Sequence, residues 1–122
     1  MNRLLALSAL LEAATGLALM AFPSVVVRLL IGSEISGAGV PVGRVAGIAL
    51  LSLGCACWPG RQVEGGSQAL RAMLAYNGLV TIYLAYLGFA EHLGGPLLWP
   101  AVSVHAVMTL LLIITSGRAH PG

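Results

Sequence analysis

Residues 4–22 read Leu-Leu-Ala-Leu-Ser-Ala-Leu-Leu-Glu-Ala-Ala-Thr-Gly-Leu-Ala-Leu-Met-Ala-Phe, an apolar stretch with a single carboxylate, Glu12, near its middle. The run is close to the roughly 20 residues that a helix rising about 1.5 Å per residue needs to cross a bilayer. A carboxylate at the centre of such a helix costs roughly 2.5–3.5 kcal/mol on insertion scales and usually faces a bundle interior or a water-filled path. Its length points to the fold class, and its one acid poses the functional question.

Three more spans are expected outward from it, at roughly 41–58, 69–90 and 97–116, with the first at roughly 3–22. The first span stops at Pro23, because proline disfavours helix in the residue before it. The next piece, roughly 24–31, contains Val25, Val26, Val27, Leu29, Leu30 and Ile31 around one charge, Arg28. It is too short to cross and is expected to lie in or dip into the interface. Pro41 suits the first turn of the second span, and Trp58-Pro59-Gly60 ends it. Gly39, Gly43 and Gly47 recur every four residues, a stripe that lets another helix approach closely, either within the bundle or between two copies. Residues 59–69, with Arg61, Glu64 and Gly65-Gly66, form the most polar loop, and Gly94-Gly95-Pro96 breaks the chain before the fourth span. The expected fold class is all-α: an integral membrane four-helix bundle, a single domain over residues 1–122, with a short interfacial helix after the first span.

Composition agrees. Hydrophobic residues make up 58% of the chain and charged residues 8%, against about 45–50% and about 25% in soluble domains. Six Arg and four Glu, with no Lys or Asp, cannot coat a soluble fold, whereas lipid-facing helices need no such coat. The apolar runs lack the period-2 alternation of a β-barrel. A net charge of +2 is too small and dispersed for a nucleic-acid surface. Met1-Asn2-Arg3 before an apolar run imitates a signal peptide, but Glu12 and the lack of a small-x-small site after Ala21 favour a retained first helix. Arg3, Arg61, Arg71 and Arg118 fall on one side of the spans, with Arg28 and Arg44 toward the other. The positive-inside bias therefore places both termini in the cytoplasm, across a bacterial inner membrane. Trp58 and Trp99 then mark opposite interfaces.

Depth along the helices gathers the polar side chains. Glu12 is roughly 13 Å in from the cytoplasmic edge, Asn77 about 10–12 Å and His105 about 15 Å, with Arg44 about 6–8 Å above them on a long side chain. Each falls in a polar or small stripe at helical spacing: Ser8, Glu12, Gly16; Asn77, Thr81, Gly88; His105, Thr109, Ser116. Glu12, Arg44, Asn77 and His105 thus form the candidate intramembrane polar site. They are either a proton- or ligand-handling cluster or a Glu12–Arg44 pair with hydrogen-bonding companions that fixes helix register. The tyrosines of the third span read as packing and interface residues.

No catalytic residue, cofactor or metal site emerges. Cys55 and Cys57 point about 200° apart on a helix, which suits small apolar fillers better than a bridge or a zinc site. His92 and His120 lie outside the spans, leaving no facing histidine pair for a haem, and there is no phosphate-binding loop, nucleophile elbow or HExxH sequence.

Two resemblances add expectations. Ala9-Leu-Leu-Glu12-Ala-Ala-Thr15-Gly16 resembles the first helix of small multidrug-resistance transporters, whose one Glu exchanges protons for a cationic drug. The order Pro23-Ser-Val-Val-Val-Arg-Leu-Leu-Ile-Gly32 followed by Arg44-Val-Ala-Gly-Ile-Ala-Leu-Leu-Ser-Leu-Gly54 is similar to the DoxX-like group of small four-span bacterial proteins. Some members of that group look like membrane subunits of quinone-linked oxidoreductases. The expected role is a structural or accessory membrane subunit and not an enzyme, in contact with the lipid bilayer, as a homodimer or in a larger membrane complex. The alternatives are a proton-coupled small-molecule transporter using Glu12 and a quinone-linked redox accessory.

Overall fold

The computed structural model describes residues 2–59 and 66–118. They form five helices and no strand: α1 (Asn2–Ala21), α2 (Pro23–Ile31), α3 (Gly39–Ala56), α4 (Gly66–Phe89) and α5 (Leu98–Arg118). All but α2 are long and apolar enough to cross a membrane. Arg61, Glu64 and Gly65 of the expected polar loop, and His120, lie outside the described residues. Helices α3 and α4 begin two and three residues before their expected starts, because Pro41 is accommodated within the first turn and the polar residues after Gly66 already wind into α4.

The long helices associate as two antiparallel pairs, α1 with α3 and α4 with α5, with sparser contacts between the pairs. Small residues make the first pair. A Cβ on Gly47 would lie 2.6 Å from the Gly16 carbonyl oxygen, one on Gly16 would lie 2.6 Å from the Gly47 oxygen, and one on Gly54 would lie 2.6 Å from the Ala9 oxygen. Backbone therefore rests on backbone, as in close small-residue packing in membranes. The expected glycine stripe is used within the chain, although only Gly47 of the three meets α1: Gly43 faces Pro23, and Gly39 faces Ile35. In the second pair, Gly88 receives the Trp99 indole, whose ring also meets Phe89 edge-on at 4.8 Å between centroids.

Two apolar clusters join the pairs. One gathers Leu5, Ala9, Cys57, Ala69, Met73, Met108 and Leu112 near the chain's N-terminal end of the bundle. The other, at the opposite end, sets Leu84, Leu87 and Leu98 against Leu30 and Ile31 of α2. Elsewhere apolar side chains face outward: Leu79, Ile82 and Phe89 are 67%, 69% and 73% exposed. A water-facing surface of that kind would be an association hazard, whereas lipid is its natural solvent.

Helix α2 is tied into the bundle more firmly than its length suggests. Pro23 opens it and Gly32, at φ 79°, closes it in the left-handed conformation with its N–H on the Arg28 carbonyl. Two further carbonyls at its end accept hydrogen bonds from the α4–α5 connection, Leu30 from the Gly95 N–H at 3.1 Å and Leu29 from the Leu97 N–H at 2.9 Å. These satisfy groups that every helix end leaves open. The approach is so close that a Cβ on Gly95 would collide with the Leu29 and Arg28 carbonyls.

Candidate functional site

On α1, successive residues point about 100° apart, so two faces alternate. Ala9, Ala13 and Gly16 turn toward α3, while Ser8 and Glu12 turn toward α4 and α5. Ser8, Glu12 and Asn77 are fully buried there. Three of the four candidate residues thus come together: Glu12 from α1, Asn77 from α4 and His105 from α5.

Arg44 does not join them. It is exposed on α3 and has no ion pair among the described residues, where the two acid–base contacts are Arg28–Glu34 at 3.2 Å and His105–Glu12 at 3.9 Å. The expected Glu12–Arg44 approach fails for a geometric reason. Helix α3 packs on the alanine and glycine face of α1, about 40–100° around the axis from Glu12, and backbone contact leaves no space for a long side chain to pass between.

The hydrogen bonds fix the orientation of each group. Asn77 Nδ2 lies 2.8 Å from the Met73 carbonyl oxygen, which can only accept, so the amide nitrogen must be on that side. Nδ2 also donates to Ser8 Oγ at 3.2 Å, and Ser8 Oγ donates to Met73 Sδ at 3.3 Å. The opposite amide atom, Oδ1, then faces His105 Nδ1 at 2.8 Å. Because Oδ1 only accepts, Nδ1 carries the hydrogen of the imidazole. Thr81 and Thr109 return their hydroxyls to the Asn77 and His105 carbonyls at 2.7 and 2.8 Å, which keeps both out of the network.

Glu12 is the exception. Neither carboxyl oxygen makes a hydrogen bond of regular geometry. His105 Nδ1, at 3.9 Å from Oε1, is beyond hydrogen-bond reach and is already spent on Asn77. The Tyr76 hydroxyl is its other close polar neighbour. Buried polar groups normally find well-made partners, so a fully buried carboxyl with one hydroxyl beside it and no regular hydrogen bond is a costly group to keep at the centre of a bundle.

Tyr76 and His105 meet edge-on, with ring centroids 5.8 Å apart. Both line a cavity of about 870 Å³ between the helix pairs. Its walls are Leu11, Thr15 and Leu19 of α1, Val26 and Leu30 of α2, and matching aliphatic residues of α4 and α5. Several of these, among them Leu79, Tyr83, Leu97 and Val104, are also among the outward-facing residues, so the cavity opens sideways. Sequence reasoning missed Tyr76 and Ser8 as members. Ser8 stands one turn before Glu12 on the same face, a signal already in the sequence; Tyr76 was masked by tyrosines that do sit outside, such as Tyr83 and Tyr86.

Among the described residues no group of three or more His, Cys, Asp or Glu could hold a metal ion. Cys55 and Cys57 are free thiols, Cys55 exposed and Cys57 within the apolar core. No family model, curated protein or solved structure matches this chain.

Proposed function

We propose that this protein is a small accessory subunit of a bacterial inner membrane, with both termini in the cytoplasm, that holds a lipid-soluble molecule in the cavity between its helix pairs. The observation that carries this is the cavity itself: about 870 Å³, within the roughly 300–1,000 Å³ of ordinary ligand sites, apolar in its walls and bearing polar groups at Tyr76 and His105. Such a lining suits a ligand with an apolar tail and one polar head. In this reading, chemistry on the ligand falls to a partner enzyme.

The test is organic extraction of protein purified in mild detergent, followed by mass spectrometry, with Ala101→Phe as a variant that fills the cavity. A lipid-soluble compound enriched with the wild-type chain and depleted in the variant is the expected result. Equal recovery from both would overturn the assignment. Co-purification of a larger complex in the same preparation tests the accessory role.

The buried carboxyl of Glu12, beside the Tyr76 hydroxyl and without a cationic partner in hydrogen-bond reach, favours a second reading, proton-coupled transport of a small molecule through the same space. Substrate-dependent proton movement in proteoliposomes, abolished by Glu12→Gln, would distinguish it from simple holding.

A further inference from the structure

The tautomer of His105 carries a consequence for what the cavity accepts. The chain of constraint runs from a backbone atom outward. The Met73 carbonyl fixes the Asn77 amide, the amide oxygen fixes the hydrogen on His105 Nδ1, and a neutral imidazole with that hydrogen placed has a bare lone pair on Nε2. Nε2 has no hydrogen-bond partner among the described residues, and the ring that bears it lines the cavity. Ser8 reinforces the lock, since its hydroxyl both accepts from Asn77 and donates to Met73 Sδ, so the amide cannot flip without breaking three contacts.

We propose that the cavity selects single-tailed, lipid-soluble molecules whose head is a hydroxyl, bound by donation of that O–H to His105 Nε2. This rests on the ligand-holding role proposed above and names the chemistry of the head. A hydroxyl donor satisfies this acceptor within apolar walls. An ether or a carbonyl head presents only lone pairs to it and leaves the imidazole nitrogen unpaired, and sites built around a polar group reject analogues that cannot pair it. Aliphatic walls on α1, α2, α4 and α5 accommodate the tail, and the sideways opening lets such a molecule enter from the bilayer without crossing water.

Farnesol and farnesyl methyl ether, which share a tail and differ in one O–H, are the probes. Binding is measured to the intact chain in nanodiscs of saturated phosphatidylcholine. The alcohol should bind at least about tenfold more tightly than the ether, the equivalent of one well-made hydrogen bond. Asn77→Ala should erase that preference mainly by raising the affinity for the ether, because the freed imidazole can place its hydrogen on Nε2 and donate it to the ether oxygen while the walls are unaltered. His105→Phe, which keeps a ring of similar shape, should erase it as well. In histidine-labelled protein the ¹⁵N spectrum should show His105 protonated on Nδ1 and bare on Nε2, with the Nε2 resonance moving on addition of farnesol and not of its ether.

Equal binding of alcohol and ether would overturn the head selection and leave ligand holding intact. Binding of neither, or binding that survives Ala101→Phe unchanged, would overturn both. A His105 spectrum with the hydrogen on Nε2 would overturn the selection whatever the affinities.

Discussion

Substituting Gly47 by alanine adds one carbon to the α1–α3 contact, and the structure states what it meets. The new Cβ would lie 2.6 Å from the Gly16 oxygen and 2.8 Å from the Met20 nitrogen, both backbone atoms. Ordinary contact begins near 3.4 Å, so the two helix axes must separate by about 0.8 Å to admit a methyl group. No rotamer change relieves a clash with backbone. Overpacking of this kind costs about 1–3 kcal/mol, and the better helix propensity of alanine returns about 0.8–1.0 kcal/mol. A net loss of about 0–2 kcal/mol is expected, rising steeply for Gly47→Leu. The matched control is Gly78→Ala on α4, where the nearest atom to an added Cβ is a Thr109 methyl at 3.9 Å. That variant should be as stable as the parent or slightly more so. Reversible unfolding in mixed micelles, followed by circular dichroism, measures both. Equal stability of Gly47→Ala and Gly78→Ala would refute the backbone-to-backbone packing of α1 on α3.

Three further outcomes are expected. A double-mutant cycle over Asn77→Ala and His105→Ala should give a coupling of about 0.6–1.7 kcal/mol, the range for interhelical hydrogen bonds in membranes, and a coupling near zero would contradict the amide–imidazole bond. Glu12→Leu should stabilise the fold by about 1–3 kcal/mol in the same unfolding measurement, since it removes a fully buried carboxyl whose oxygens make no hydrogen bond of regular geometry; a destabilised variant would show that the neighbouring Tyr76 hydroxyl satisfies Glu12. A single reporter cysteine at Glu34, with Cys55 and Cys57 replaced by alanine, should react with a membrane-impermeant thiol reagent in intact cells, and protection there would invert the proposed topology.

The four long helices were legible because uninterrupted apolar runs of about 20 residues between Pro and Gly breakers set their number and bounds, and Glu12, Asn77 and His105 were legible because depth follows from counting residues at a fixed rise. Arg44 shows where counting stops. Depth says nothing of which helices are neighbours, and the pairing of α1 with α3 turned Arg44 away from the acid it was expected to meet. Tyr76 shows a second limit: it follows Ala75, which is exposed, and precedes Asn77, which is fully buried, so a turn of about 100° decides between lipid, cavity and core. Helix α2 was readable as short and apolar, but its attachment depends on hydrogen bonds to a loop more than sixty residues later in the chain, which no local pattern announces.

That attachment sets an order of assembly. Helices α1 and α3 can zip together as soon as both are in the membrane, since everything their contact needs is synthesised early. The two carbonyls at the end of α2 have to wait for Gly95 and Leu97, which follow α4 and precede α5. Until then α2 has mainly its contacts with α1 and α3. Completion of the cavity accordingly waits for the last helix, and a chain truncated before Gly95 would retain the α1–α3 contact while lacking the α5 wall of the cavity, with Ala101, Val104 and His105.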